Sequence, residues 1–138
     1  MNILNLGCGT NPLKDAVNVD IQPFPGVDVV ANAYLLPFLP GRFKQVFCHN
    51  PYGFNPLCKE VALVLEDRGT LMVAGQPRNP FFKKFLQEIS EEQLLSLGFQ
   101  LVETGPVTPL CKLAEPKSTS GRILNNNVMI QATFRKIR

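Results

Sequence analysis

Two glycines and a carboxylate near the start of the chain have types and spacing that could hold a ligand. An apolar run ends at Leu6 and leads into a Gly-x-Gly turn at Gly7 and Gly9; a second apolar run ends on Asp20. Glycine adopts positive φ and has no Cβ, so a ligand can approach the backbone of such a turn closely. A carboxylate at the end of the next strand can accept two hydrogen bonds from a ribose diol. The spacing therefore predicts a site for a molecule that contains a nucleoside.

A second group of polar and aromatic side chains follows a later apolar run. His49, Asn50 and Tyr52 surround Pro51 in what reads as a turn. An imidazole exchanges protons near neutral pH, so His49 could act as a general base towards a hydroxyl or another acidic nucleophile. A proline turn without a chemical role would give the same pattern. Both interpretations stay open at this point.

The segments that would position these residues alternate between strand and helix patterns, which is typical of a parallel α/β sheet. Strand patterns cover residues 2–6, 17–21, 27–31, 45–48, 70–74, 99–103 and 128–135. The first two are separated by only about ten residues, which is short for a helical crossover. We therefore expect a loop or a single turn there. The last two strands have no helix between them, so we expect an antiparallel pair at one edge of the sheet.

The first helix pattern follows the fourth strand. Asn55 has the type of an N-cap, with Pro56 at the first helical position. Apolar residues at four-residue spacing give this helix one buried face: Leu57, Val61 and Leu65. Arg68 and Gly69 would close it, with glycine in the C-terminal cap. This prediction places one complete helix between the fourth and fifth strands.

The second helical region follows the fifth strand and contains a break. Asn79 is expected to cap a helix that starts at Pro80, and Ser90 with Gln93 matches a capping box that restarts it. Three leucines of the restarted helix are expected to face inward: Leu94, Leu95 and Leu97. Gly98 would end it. The proline- and asparagine-containing stretch 104–126 is predicted to be a long loop.

Composition limits the class of protein. The chain has 138 residues, which fits one domain over residues 1–138, and 45% hydrophobic with 18% charged residues argues against disorder. No apolar run is long enough for a transmembrane helix, and Met1 leads directly into the first strand pattern. These features predict a cytoplasmic protein that does not engage a membrane. The cysteines have no C-x-x-C spacing and are expected to be buried thiols, not metal ligands: Cys8, Cys48, Cys58 and Cys111.

The charge is unevenly spread along the chain. Residues 69–138 hold nine basic and five acidic groups, against five basic and six acidic groups in residues 1–68. A solvated surface explains this excess. Attraction to an acidic partner such as nucleic acid explains it as well. The sequence leaves the partner open and is compatible with a homo-oligomer.

The order of these motifs resembles that of class I S-adenosylmethionine-dependent methyltransferases. Residues 6–10 (Leu-Gly-Cys-Gly-Thr) and 18–20 (Asn-Val-Asp) look like the first two motifs of that family, and residues 32–37 look like its segment near the adenine. Two later segments match the family's order as well: residues 63–73 and residues 90–99. The resemblance implies a mostly parallel, Rossmann-like sheet of strand order 3-2-1-4-5-7-6 with an antiparallel seventh strand. The first crossover helix would be short or missing.

The resemblance also implies a cofactor, S-adenosylmethionine, and roles for individual residues. The backbone of Gly7, Cys8 and Gly9 would pass under the methionine part of the cofactor. Asp20 would bind the ribose and Asn32 the adenine. Asn5 stands where the family usually has an acid, beside the methionine amine.

The turn after the fourth strand resembles the Asn/Asp-Pro-Pro-Tyr motif of enzymes that methylate amino nitrogens. Asn50 and Tyr52 would then contact the methyl acceptor, and the reaction would be in-line attack on the sulfonium methyl group. Because such a transfer depends on alignment, it requires no nucleophilic side chain and no metal. The acceptor itself is not identified by the sequence.

Two other functions are compatible with the same residues. A methyltransferase-like module could bind the cofactor or a partner protein without catalysis. An NAD-binding Rossmann enzyme would need a third glycine where Pro12 stands, and an acid about 20 residues after the turn, whereas Asp20 comes much earlier.

Overall fold

The computed structural model describes residues 2–108 and 129–137. Seven strands of these residues form one sheet of order β3-β2-β1-β4-β5-β7-β6. Their bounds are β1 Ile3–Leu6, β2 Val17–Asp20, β3 Val29–Val30, β4 Phe43–His49, β5 Leu65–Gly75, β6 Phe99–Pro106 and β7 Ile130–Lys136. Strands β1 to β5 pair in parallel, and β7 is antiparallel to both β5 and β6. The predicted strand order and the predicted antiparallel terminal pair are confirmed.

The helices of the described residues are short and pack on one face of the sheet. They are α1 (Lys59–Val64), α2 (a π-helical part, Phe81–Phe85, continued by Leu86–Glu88) and α3 (Glu91–Ser96). Their buried side chains share one core with alternate residues of the central strands, such as Leu4, Val46 and Leu71. None of the helices in the described residues is long and apolar enough to cross a membrane.

The opposite face of the sheet is covered differently. Phe47 and Ala74 are buried there, and Leu13 from the loop after β1 and Val107, the residue after β6, pack against them. Within residues 2–108 and 129–137, this face is covered by loop residues and not by a helix. The predicted absence of a first crossover helix is confirmed, because residues 7–16 form turns only.

A buried amide in β2 links the segments that flank this strand. Asn18, in β2, is 5% exposed. Its Oδ1 accepts from the Leu13 N–H at 2.8 Å, and its Nδ2 donates to the Leu13 carbonyl at 3.0 Å and to Asp28 Oδ2 at 3.2 Å. The Asn18 backbone N–H also donates to Asp28 Oδ2 at 2.8 Å. One side chain thereby ties the loop before β2 to the segment before β3.

The predicted bounds of the first helix are wrong at both ends. Asn55 Oδ1 accepts from the Leu57 N–H at 3.0 Å, which forms a local turn, and α1 begins later, after Cys58. The helix ends at Val64, and the next residue, Leu65, already pairs with Phe43. The leucine that completed the helical spacing therefore belongs to β5.

Gly69 lies inside β5 and does not cap a helix. The pairing of β4 with β5 shifts from Phe43–Leu65 to Gln45–Thr70, so residues 66–69 bulge out of the sheet. A Cβ on Gly69 would lie 2.9 Å from the carbonyl oxygens of both Glu66 and Lys44. Glycine is required there because two backbones approach closely.

The second helical region largely follows the prediction. Ser90 and Gln93 form the expected capping box, and Gly98 follows α3 with a φ of +96°. Leu94 is buried, but Leu95 is 47% exposed, so its predicted inward orientation is wrong. The predicted start of the last strand at Val128, Cys111 and most of the predicted 104–126 loop lie outside the described residues.

Candidate functional site

A cavity of about 500 Å³ lies at the carboxyl ends of β1, β2 and β4. Ligands of open α/β sheets bind at this edge of the sheet, and the volume is typical of a small-molecule site. Eight of the nine residues that the sequence suggested line this cavity: Gly7, Cys8, Gly9, Asp20, Asn32, His49, Asn50 and Tyr52. The fold therefore brings together residues that are up to 45 positions apart in the chain.

The glycine turn presents its backbone to the cavity. Gly7 and Gly9 have φ of +67° and +52°, in the left-handed region where a Cβ is costly. A Cβ on Gly7 would also lie 2.9 Å from Cζ of Phe54, so a side chain at this position would have to displace the Phe54 ring. The Cys8 N–H donates to the Val19 carbonyl at 3.0 Å, which fixes the turn to β2.

Asp20 joins the glycine turn to the end of β2. Its Oδ2 accepts from the Gly9 N–H at 2.8 Å, and its Oδ1 accepts from the Gln22 N–H at 3.0 Å. A carboxylate has about four acceptor positions, so each oxygen can still accept a hydrogen bond from a ligand. The carboxylate is thus held in place by backbone groups and remains able to bind a diol.

The loop after β3 forms the third wall. Asn32 Oδ1 accepts from the Tyr34 N–H at 2.8 Å, which leaves one of its lone pairs for a ligand. The Tyr34 hydroxyl in turn accepts from the Asn55 N–H at 2.6 Å. This contact ties the loop after β3 to the loop after β4.

Asn5 lies beneath the turn and does not line the cavity. It is 1% exposed, and its Nδ2 donates to Asn18 Oδ1 at 2.9 Å and to the Asn11 carbonyl at 3.0 Å. Its Oδ1 is buried and accepts no hydrogen bond from the described residues. The side chain supports the loop from below, and a contact with a ligand stays a prediction.

Several apolar and aromatic residues of the cavity had no signal in the sequence. Ile21 is 65% exposed although it is a large apolar side chain, and a ligand in the cavity would cover it. Further members of the wall are Phe24, Tyr34, Phe54 and Met129. They belong to loops whose approach to the site depends on the tertiary fold, so neither spacing nor periodicity could identify them.

The turn after β4 forms the side of the cavity away from Asp20's strand. His49 is half-buried at the end of β4, and its ring contacts that of Phe47 edge-on, with 6.4 Å between centroids. Asn50 has a φ of +51°, and Tyr52 is 59% exposed. These three residues line the cavity at the carboxyl end of β4.

The Cys8 thiol is not a reactive group. Burial, and to a lesser extent the Asp20 carboxylate, together raise its pKa to about 12. The thiol therefore stays protonated at neutral pH, and its role in the wall is that of a small apolar group. Within the described residues, no group of three or more His, Cys, Asp or Glu side chains could hold a metal ion.

No protein-family model matches the sequence, and no curated protein matches it. Solved structures match the fold over almost the whole chain. The 16S rRNA methyltransferase KamB has 15% identity and a TM-score of 0.65, covering 100% of this chain and 89% of its own. The 16S rRNA (adenine(1408)-N(1))-methyltransferase of Catenulisporales acidiphilia has 13% identity and a TM-score of 0.64, with 99% and 85% covered.

A third similar structure is a SAM-dependent methyltransferase from Methanosarcina mazei. It has 14% identity and a TM-score of 0.58, and the alignment covers 98% of this chain and 92% of that protein. At such identities the likeness concerns the fold. The described sheet has the fold of class I S-adenosylmethionine-dependent methyltransferases.

Proposed function

We propose that this protein is an enzyme that transfers a methyl group from S-adenosylmethionine to an acceptor molecule. One observation carries the proposal: the exposed backbone of the glycine turn and the Asp20 carboxylate share one cavity, at the edge of the sheet where this fold binds ligands. The sequence resemblance and the fold support the same cofactor. The proposal treats residues 1–138 as one functional domain.

The residues of the cavity fit the parts of this cofactor. Asp20 has acceptor positions left for both ribose hydroxyls, because each of its oxygens is used once by a backbone N–H. Ile21 and Ala33 would cover the faces of the adenine, and Asn32 would accept from its amino group. Gly7 and Gly9 would allow the methionine part to lie against the backbone.

When bound, S-adenosylmethionine supplies a methyl group on a positively charged sulfur, which is already activated for transfer. The chain's own contribution is to hold the two reactants in line and close together, which can supply about 7–11 kcal/mol of the barrier. His49, Asn50 and Tyr52 line the side from which the acceptor would approach. His49 would remove the proton of a hydroxyl acceptor, and Tyr52 would stack on a planar acceptor group.

The acceptor class best supported for a first test is RNA, with an amino or ring nitrogen as the methylated atom. Two of the similar structures are rRNA methyltransferases by name. Arg78, Lys83 and Lys84 are exposed on and after the loop that follows β5, and residues 68–87 contain no acidic side chain. These cations would attract a polyanion.

The alternative function is a module that binds the cofactor without catalysing transfer. Asn5 favours it, because a neutral amide bound to the loop replaces the acid that the family usually places beside the methionine amine. The NAD-binding interpretation loses support, because the described residues 7–16 hold no helix whose N-terminus could receive a pyrophosphate.

The test is label transfer from S-adenosylmethionine carrying a radioactive methyl group. The purified protein is incubated with separate pools of RNA, protein and small metabolites, and an Asp20→Asn variant serves as the matched control. We expect label in the RNA pool with wild type and about a hundredfold less with the variant. Cofactor binding without label in any pool would overturn catalysis in favour of the binding module. Absence of cofactor binding would overturn both.

A further inference from the structure

The side chain of Asn50 is held by the loop that follows β5. Its Oδ1 accepts from Asn79 Nδ2 at 3.1 Å and from the Gln76 backbone N–H at 3.3 Å. Its own backbone N–H donates to the Ala74 carbonyl at 2.5 Å. We call this set of contacts between Asn50 and residues 74–79 the amide latch. It joins the exit turns of two neighbouring strands.

The orientation of both amides in the latch follows from backbone donors. The Gln76 N–H can only donate, so the atom of the Asn50 side-chain amide that faces it is the oxygen. The Phe81 N–H donates to Asn79 Oδ1 at 3.0 Å, so the atom of the Asn79 side-chain amide that faces Asn50 is the nitrogen. Exchanging O and N in either side chain would place two donors or two acceptors against each other.

The latch determines which polar atom of the Asn50 side chain remains available to a ligand in the cavity. A carbonyl oxygen has two acceptor lone pairs, and Gln76 and Asn79 use both. In the part of the chain that the structure describes, no group accepts a hydrogen bond from Asn50 Nδ2. Asn50 lines the cavity beside His49 and Tyr52. The group that it can offer a second reactant is therefore an N–H donor.

The burial and the backbone conformation of the surrounding residues are compatible with the latch. Asn79 is fully buried, and a buried amide is costly unless its hydrogen bonds are made. Asn50 adopts a φ of +51°, which asparagine tolerates better than most residues. A Cβ on Gly75 would lie 3.1 Å from Asn50 Oδ1 and 3.3 Å from its Cα, so the absence of a side chain allows the close approach.

We propose that Asn50 selects the methyl acceptor by donating a hydrogen bond from its side-chain N–H, and that Asn79 is the positioning residue that fixes this orientation. The inference rests on the proposed function of the same site. The acceptor would carry a hydrogen-bond-accepting atom, such as a carbonyl oxygen or an unprotonated ring nitrogen, next to the atom that is methylated. An isolated amine offers only donors when it is protonated, so it could not accept a hydrogen bond from the Asn50 N–H.

The matched test pair is Asn50→Asp and Asn50→Ala. Aspartate keeps an oxygen for Gln76 and Asn79 and tolerates the same φ, while it replaces the N–H donor by a second acceptor and adds a negative charge. Alanine removes both the amide oxygen and the amide nitrogen. We expect either change to lower kcat/KM for the RNA fraction labelled by wild type by about tenfold to a hundredfold. The affinity for S-adenosylhomocysteine should stay unchanged, since Asn50 faces the second reactant.

A second measurement follows the latch without any acceptor. In ¹⁵N-labelled protein, solvent exchange of the Asn79 side-chain amide should be slow in wild type and in Asn50→Asp. It should be about tenfold faster in Asn50→Ala, because the partner oxygen is gone. The aspartate variant removes the N–H donor but keeps the latch, so it separates the effect of the donor from the structural role of the latch.

Each outcome decides a different part of the proposal. Equal exchange in wild type and Asn50→Ala would overturn the latch. Full activity of Asn50→Asp on the RNA that wild type labels would overturn the donor role while leaving the proposed function intact. If wild type binds S-adenosylhomocysteine but labels no pool, the methyltransferase function fails, and the selection of an acceptor fails with it.

Discussion

Asn5 illustrates, at the scale of one residue, how a position expected to bind a ligand can serve the scaffold. Its Nδ2 donates to two oxygens, those of Asn18 and Asn11, and the side chain is buried under the glycine turn. An acid at this position would present an oxygen to both acceptors. The side chain that the family resemblance leads one to expect is therefore the wrong one for this chain.

We predict that Asn5→Asp destabilises the fold by about 2 kcal/mol, because buried acceptors would face each other without a proton between them. Urea unfolding followed by circular dichroism measures the change. Asn2→Asp is the matched control: it makes the same chemical change at an exposed position one residue before β1 and should stay within about 0.5 kcal/mol of wild type. Equal effects of the two variants would contradict the role of Asn5.

Cys8 gives a pH dependence whose sign follows from its burial. Its pKa is about 12 in the folded state against 9.0 for an ordinary thiol, mainly through desolvation and then through Asp20. Between these values the unfolded chain loses a proton that the folded chain keeps, so this thiol contributes stability below about pH 9 that is lost as the pH rises towards about 12. Urea unfolding at about pH 8 and about pH 10 should show a smaller loss of stability in Cys8→Ala than in wild type. Parallel losses would contradict this prediction.

Residue types and spacing predicted most of the polar members of the cavity. Gly7, Gly9 and Asp20 could be identified because a strand end, a turn and a second strand end follow each other closely in the chain. The orientation of Asn50 could not, since the partner that fixes it, Asn79, lies 29 positions away and follows another strand. Asn79 itself was predicted only as a helix cap, and its side-chain oxygen does accept from the Phe81 N–H.

Among the elements, the glycine turn depends on both its backbone conformation and its neighbour. Gly7 combines a φ of +67° with contact to Phe54, whereas Gly53 has a φ of +84° and nothing within 4 Å of an added Cβ. The two positions therefore separate the cost of the left-handed conformation from the cost of steric overlap.

We predict that Gly7→Ala and Gly53→Ala share a cost of about 1–2 kcal/mol for the left-handed backbone. Gly7→Ala should lose a further amount of about 1–3 kcal/mol through overlap with the Phe54 ring. Thermal and urea unfolding of the two variants give the difference directly. Equal stabilities would show that Phe54 yields to the methyl group at no cost.

The helix that was predicted too long shows where periodicity misleads. Leu57, Val61 and Leu65 have helical spacing, yet Leu65 is buried as the first residue of β5. A buried strand end and a buried helix face both require an apolar residue, so hydrophobicity cannot place the boundary between them. The capping box at Ser90 was predicted correctly because its signal lies in four consecutive residues that contact each other.

At the scale of the molecule, the strand order was predicted from the family resemblance, whereas the alternation of strand and helix patterns predicted the parallel strands and the terminal antiparallel pair. The sequence predicted less well what covers each face of the sheet. The helices of the described residues lie on one face, and buried amides such as Asn5 and Asn18 tie the loops of the other face to the sheet. Such a network of side chains that are distant in sequence has no periodic signature.

Binding of the cofactor at the glycine turn and Asp20 is tested by calorimetric titration of the protein with S-adenosylhomocysteine. We expect one binding site in wild type and an affinity about a hundredfold lower in Asp20→Asn. Asp15→Asn removes the same charge from a residue that does not line the cavity and should keep the wild-type affinity. Absence of binding to wild type, or equal affinity in Asp20→Asn and wild type, would contradict this cofactor site.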